Sequence, residues 1–149
     1  MLICLMGPSC TGKSTLAATL RTARAFSVVS GKDYLRLAKS ESEARRLFVE
    51  KLAAAQSSAE AHLIYVVTEP EDLSLLPEGT MRVRCTASSE TIRERFAARM
   101  RGTLPPSVAA MLEAKIALWQ DVPAALVLRT DDGRSAEELA AAVLAQVGL

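Results

Sequence analysis

Gly7-Pro8-Ser9-Cys10-Thr11-Gly12-Lys13-Ser14 stands between a short apolar run and a helical pattern, and this junction restricts the architecture more than any other stretch. The run before it, Leu2-Ile3-Cys4-Leu5-Met6, is continuously apolar, as a strand covered on both faces of a parallel sheet reads. After it, from Lys13 to about Ala23, Leu16, Ala17 and Leu20 share one helical face. Gly7 and Gly12 let the backbone curl until successive N–H groups, through Ser9, Cys10 and Thr11, converge on an anion. The helix starting near Lys13 adds the positive end of its dipole. The side chains then choose the anion. Lys13 sets an ammonium against the outer phosphates of a nucleoside triphosphate, the Ser14 hydroxyl suits Mg²⁺, and Thr15 adds a contact near the first phosphate. Cys10 reads as a spacer pointing away from the ligand.

The rest of the chain repeats the strand-then-helix alternation. Strands are expected at Phe26–Val29, Leu63–Val67, Met81–Cys85 and Ala124–Leu128. Helices are expected over about Glu41–Ser57, from a cap at Ser88 or Ser89 to about Arg101, over about Ser107–Gln120, and after a capping box at Ser135 and Glu138. Ile92, Phe96 and Met100 would form the core stripe of the second of these, and Gly102 would mark its end. Alternation of this kind implies right-handed crossovers and a parallel sheet with helices on both faces, a single three-layer α/β domain over 1–149. The two helices in succession before the last strand break the pattern, and with Pro105-Pro106 they suggest a lid at about 95–110.

Several function classes are disfavoured. The net charge is +1, so no global field draws the chain to nucleic acid or an anionic membrane. Aromatic residues make up 4%, too few for base-stacking platforms. No apolar run approaches the roughly 20 residues of a membrane span. Cys4, Cys10 and Cys85 lack metal-type spacing and read as reduced thiols of a cytoplasmic protein. His62, the only histidine, begins a strand and reads as structural.

Phosphate grip alone does not separate kinases from hydrolases or nucleotide-sensing modules. The chain is one short domain without an Asn-Lys-x-Asp guanine motif. Arg93, Arg95, Arg99 and Arg101 cluster ahead of the Pro-rich connection, with Arg95 and Arg99 on one helix face. Guanidinium groups on a lid neutralise a transferring phosphoryl group. Asp33 follows the second strand, at the sheet edge where ligands bind. It can orient or deprotonate an acceptor hydroxyl, or equally serve as a turn residue. Glu69, after the third strand, competes for the metal-water or base role. Arg36, Arg45 and Arg46 are further candidates for an anionic acceptor, the latter two reading better as a solvated helix face.

The glycine-framed loop, the Arg95–Arg101 stretch and the ending Leu128-Arg129-Thr130-Asp131-Asp132-Gly133 together resemble the nucleoside monophosphate and shikimate kinase group of P-loop kinases. The wording Gly7-Pro8-Ser9 through Gly12-Lys13-Ser14-Thr15 is similar to that of guanylate kinases. The resemblance implies a five-stranded sheet ordered 2-3-1-4-5 and transfer of the γ-phosphoryl of MgATP to a small-molecule or nucleotide acceptor. It implies that Arg95 packs on the adenine, that Arg99 and Arg101 reach phosphates, and that the Thr130–Arg134 loop, including Arg134, borders the base. Two features depart from it. Only 34–40 separates Asp33 from the next helix, where guanylate kinases carry a GMP-binding insert, and Thr68-Glu69-Pro70 stands where shikimate kinases have a run of glycines. ATP against GTP, the acceptor and the oligomeric state stay open.

Overall fold

The structure, a computed structural model, describes residues 1–149. Five strands, β1 (Leu2–Met6), β2 (Ser27–Ser30), β3 (Leu63–Val67), β4 (Met81–Thr86) and β5 (Leu126–Arg129), form one parallel sheet in the order β2-β3-β1-β4-β5. The helices are α1 (Lys13–Ala23), α2 (Glu41–Ser57), α3 (Ser89–Arg99), α4 (Pro106–Trp119) and α5 (Ala136–Gln146). Two 3₁₀ turns, Asp33–Leu37 and Pro70–Leu75, follow β2 and β3. The first begins at Asp33, where the sequence offers only a turn residue.

The two most continuously apolar segments, β1 and β3, are buried at every position. They pair in register from Leu2–Leu63 to Met6–Val67 at the sheet's centre. Alternation along β1 then splits the core. Ile3 and Leu5 join Leu16 and Leu20 of α1 and Leu139 and Val143 of α5. Leu2, Cys4 and Met6 face Phe48 and Leu52 of α2 and Trp119 of α4. Tyr34 stacks on Phe48 at 4.8 Å between ring centroids, and Tyr65 meets Phe48 edge-on at 4.9 Å. Together the rings seat the turn after β2 on α2.

Some boundaries move. α3 stops at Arg99 because Arg101, not Gly102, takes the left-handed conformation (φ 56°) that closes the helix, with the Gly102 N–H donating to Ala97 O at 3.2 Å. Met100 consequently leaves the core stripe and is 48% exposed. β5 begins at Leu126 rather than Ala124. The capping box at Ser135 and Glu138 is formed.

Candidate active site

All C-terminal strand ends meet at one edge of the sheet, and the loop after β1 is folded tightly against it. The Gly7 N–H donates to Val67 O of β3 at 3.2 Å. Gly7 holds φ 143°, and a Cβ there would lie 2.4 Å from Cys85 O, so only glycine fits between β1 and β4. Gly12 takes φ 80° as the N-cap of α1. Cys10 is unusual, a non-glycine residue at φ 63° whose side chain packs with Ala87 and Ile92. It is not solely a spacer, since it also lines the cleft described next.

Lys13 is 5% exposed. Its Nζ donates to Pro8 O at 2.6 Å and to Thr11 Oγ1 at 3.5 Å, and Thr11 Oγ1 donates to the same carbonyl at 2.8 Å. Burial is the main influence that lowers its pKa, to about 8, and the nearby Arg99 guanidinium adds to it. A buried ammonium whose only partners are neutral oxygens is matched to an incoming polyanion.

Beside the loop, a cleft of about 490 Å³ opens between α1, α3 and the start of α5. Leu16, Ala98, Ala136 and Leu139 give it apolar walls, while Arg95, Arg99, Thr130 and Arg134 line its polar side. Arg95 is fixed by three bonds. Its Nη1 donates to Cys10 O at 3.0 Å and Thr130 Oγ1 at 3.1 Å, and its Nη2 to Thr130 O at 3.1 Å. One arginine thus joins α3, the phosphate loop and the β5–α5 loop. Asp131 reinforces the junction by accepting from the Ser88 N–H at 2.9 Å and from Thr91 Oγ1 at 3.2 Å, and by pairing with Arg129. These hydrogen bonds, the Ser88 N–H first, hold its pKa down at about 2. Arg134 reaches the rim paired with Asp132 at 2.9 Å.

A smaller pocket of about 90 Å³ adjoins the cleft, lined by Ser9, Lys13, Ser14, Thr15, Thr68 and Arg99. Arg99 lines both spaces. Arg101 lines neither and lies exposed where α3 ends. Ser14 and Thr15 are exposed at the first turn of α1, and no group of three His, Cys, Asp or Glu side chains is placed to hold a metal. A Mg²⁺ ion would therefore be held by the Ser14 hydroxyl together with phosphate oxygens and water, as suits a hard octahedral cation.

On the β2–β3 side the charges sort differently. Asp33 is exposed at the first position of its 3₁₀ turn, and Arg36 is exposed three residues on. Lys32 is bound to Asp72 at 2.8 Å and Glu71 at 3.2 Å. Glu69 accepts from Lys115 Nζ of α4 at 2.6 Å, and Trp119 Nε1 donates to Thr68 O at 2.9 Å. Arg45 donates to Ser74, and Arg46 is paired with Glu43 and Glu50 on the solvated face of α2. Thr68 and Lys115 carry no expectation as site residues, and Asp131 enters only as part of the loop that the resemblance sets beside the base. Lys115 leaves a trace in the sequence as the one basic residue among Leu112, Ile116 and Trp119.

No protein-family model and no curated protein sequence matches the chain. Solved structures match over nearly its whole length. The Deinococcus radiodurans tunicamycin resistance protein is 20% identical with TM-score 0.69, over 99% of this chain and 95% of that one. A shikimate kinase from Acinetobacter baumannii, in complex with shikimate, is 18% identical with TM-score 0.64, over 98% and 92%. A gluconokinase from Sinorhizobium meliloti 1021 is 15% identical with TM-score 0.60, over 98% and 90%. Strand order, phosphate loop and these likenesses agree that the chain has the fold of the P-loop small-molecule kinases.

Proposed function

We propose that the protein transfers the γ-phosphoryl group of MgATP to a hydroxyl of a small acceptor. The observation that carries this reading is the position of Arg99. Supplied by the lid-side helix, it lines both the base cleft and the phosphate pocket. An arginine there can follow charge as it moves from donor to acceptor.

The placements support these roles. The loop amides and Lys13 hold the β- and γ-phosphates. Arg95 and Thr130 form the wall on which the base rests, and Arg134 closes its rim. Mg²⁺ would be held by the Ser14 hydroxyl and would supply charge neutralisation to the phosphates. Asp33 orients the acceptor hydroxyl and takes its proton as the new O–P bond forms and the β–γ bridge breaks, leaving ADP. Asp33 suits this role better than Glu69, whose carboxylate is bound by Lys115. Arg101 would join the site only if the segment after α3 folds inward. Gluconate and shikimate, which give two of the structural neighbours their names, are hydroxylated acids, and exposed Arg36 near Asp33 suits an acceptor of that chemistry.

ADP release measured against a panel of hydroxylated acids, nucleosides and nucleotides tests the proposal. An acceptor that raises turnover well above the water rate, with phosphate recovered on that compound, supports it. Turnover equal to the water rate with every compound replaces it with a slow hydrolase. Nucleotide binding without turnover replaces it with a sensing module.

A further inference from the structure

β4 carries two arginines on one face. Val83 and Cys85 point into the core beneath α1 and α5, so alternation turns Arg82 and Arg84 to the opposite face. Arg84 sits level with Met6 of β1 and Val127 of β5. Arg84 is half-buried, and a cation drawn into a sheet commonly finds a carboxylate. Arg84 does not: the arginines that form ion pairs are Arg46, Arg93, Arg129 and Arg134. Its Nε is fully buried with no hydrogen-bond partner.

The same side chain lines a crevice of about 230 Å³ behind the phosphate loop, between the end of β4, the start of α3 and the end of α4. Pro8, Arg84, Ser89, Ile116, Trp119 and Gln120 are among its walls. Arg84 is the only charged residue there, and the polar remainder consists of neutral hydroxyls and one amide. At about 30 Å³ per water the space holds several waters or one compact ligand. A lone guanidinium among hydroxyl and amide groups selects a ligand with acceptor oxygens and negative charge.

We propose that this crevice is a second anion site, separate from the triphosphate pocket, for a compact oxyanion such as the carboxylate or phosphate group of a small metabolite. Its occupant would lie against Pro8, the residue whose carbonyl holds the Lys13 ammonium. The site can therefore report to the phosphate loop from behind. The proposal is independent of the kinase reading, because it concerns only what binds beside Arg84.

Trp119, the only tryptophan, lines the crevice and gives a direct signal. Its fluorescence is followed while sodium phosphate or sodium acetate is added, with the nucleotide site saturated by MgADP and sodium chloride as the ionic-strength control. The expected result is a saturable change with at least one of the two anions and none with chloride; which anion acts tells a phosphate from a carboxylate ligand. Arg84→Gln should weaken the response by roughly tenfold or more, the loss of one charge-assisted bond. Arg82→Gln, on the same face one residue-pair away, should leave it intact. If Arg84→Gln misfolds, Arg84→Lys provides the test, retaining a weaker saturable response. A response equal in chloride, one unchanged in Arg84→Gln, or none with either anion overturns the proposal.

Discussion

Replacing Lys13 by methionine separates what the lysine costs the fold from what it does for the ligand. Burial lowers the Lys13 pKa from 10.5 to about 8 in the free protein. At about 1.36 kcal/mol per unit, that shift is about 3 kcal/mol of destabilisation carried by the charged form. Below pH 8 both folded and unfolded chains hold the proton, so the cost is fully present. Between pH 8 and 10.5 the folded chain releases the proton first, the unfolded chain binds more protons, and stability rises with pH. Above 10.5 the contribution vanishes. Methionine has the same reach and no charge, so Lys13→Met lacks this rise.

Urea unfolding of both proteins without nucleotide, from neutral pH to above 10.5, isolates the effect. Subtracting the variant's free energy from the wild type's cancels titrations away from the loop. The difference should climb by about 3 kcal/mol, less whatever coupling the nearby thiols of Cys10 and Cys85 contribute. A difference that stays flat through this range refutes the account of Lys13 as a buried ammonium without a counter-ion. Nucleotide binding should show the mirror image. Bound phosphates keep Lys13 charged, so affinity stays level below pH 8 and falls above it as the free protein gives up the proton.

Arg95→Ala removes three bonds that join α3, the loop and Thr130. ATP affinity should fall roughly 10- to 100-fold by calorimetry, with acceptor affinity unchanged. Arg99→Ala should chiefly lower kcat, by about 10²–10³-fold, because its charge is needed most in the transition state. Asp33→Ala should lower kcat by about 10²–10⁴-fold and leave ATP binding intact, as a loss of ATP binding would place Asp33 on the donor side. Gly7→Ala drives a Cβ to 2.4 Å from Cys85 O at φ 143°. It should cost about 2–4 kcal/mol of stability by denaturant titration and abolish nucleotide binding.

The phosphate loop was legible because its signal is contiguous. Gly7 to Ser14 is a single stretch flanked by a strand and a helix, and the apolar runs of β1 and β3 mark the sheet's centre with little ambiguity. The end of α3 was misread by one residue because a glycine at the right spacing drew the expectation. Arg101 instead takes the left-handed conformation, at a cost of about 1–2 kcal/mol that a glycine would not incur. The β2–β3 side was hard to read because its pairings cross the chain. Glu69 meets Lys115 from 46 residues away, and Lys32 meets Asp72 from 40. Glu69 stood out only for its place after β3, and Lys32, Asp72 and Lys115, taken singly, looked like ordinary surface charges. The three bonds of Arg95 span up to 85 residues, so the sequence pointed to it only through the arginine cluster of α3 and the family resemblance.

Pairing also explains which cations serve the fold and which serve a ligand. Lys32, Arg46, Lys115, Arg129 and Arg134 all have carboxylate partners, and their charges are largely neutralised locally. Lys13 leans on a carbonyl and a hydroxyl, and Arg95 on carbonyls and a hydroxyl. Neutral oxygens orient a cation without cancelling its charge, so Lys13 and Arg95 keep theirs beside the phosphate loop. A buried charge held this way costs stability until an anion arrives. Such a cost persists in a fold when the anion is its ligand. Arg84 poses a related case: its Nε is buried without any partner, and the proposed oxyanion would supply one. If Lys13→Met and Arg84→Met each stabilise the free protein at neutral pH while removing separate binding events, both assignments hold; if Arg84→Met destabilises as an ordinary core truncation would, the parallel fails for Arg84 alone.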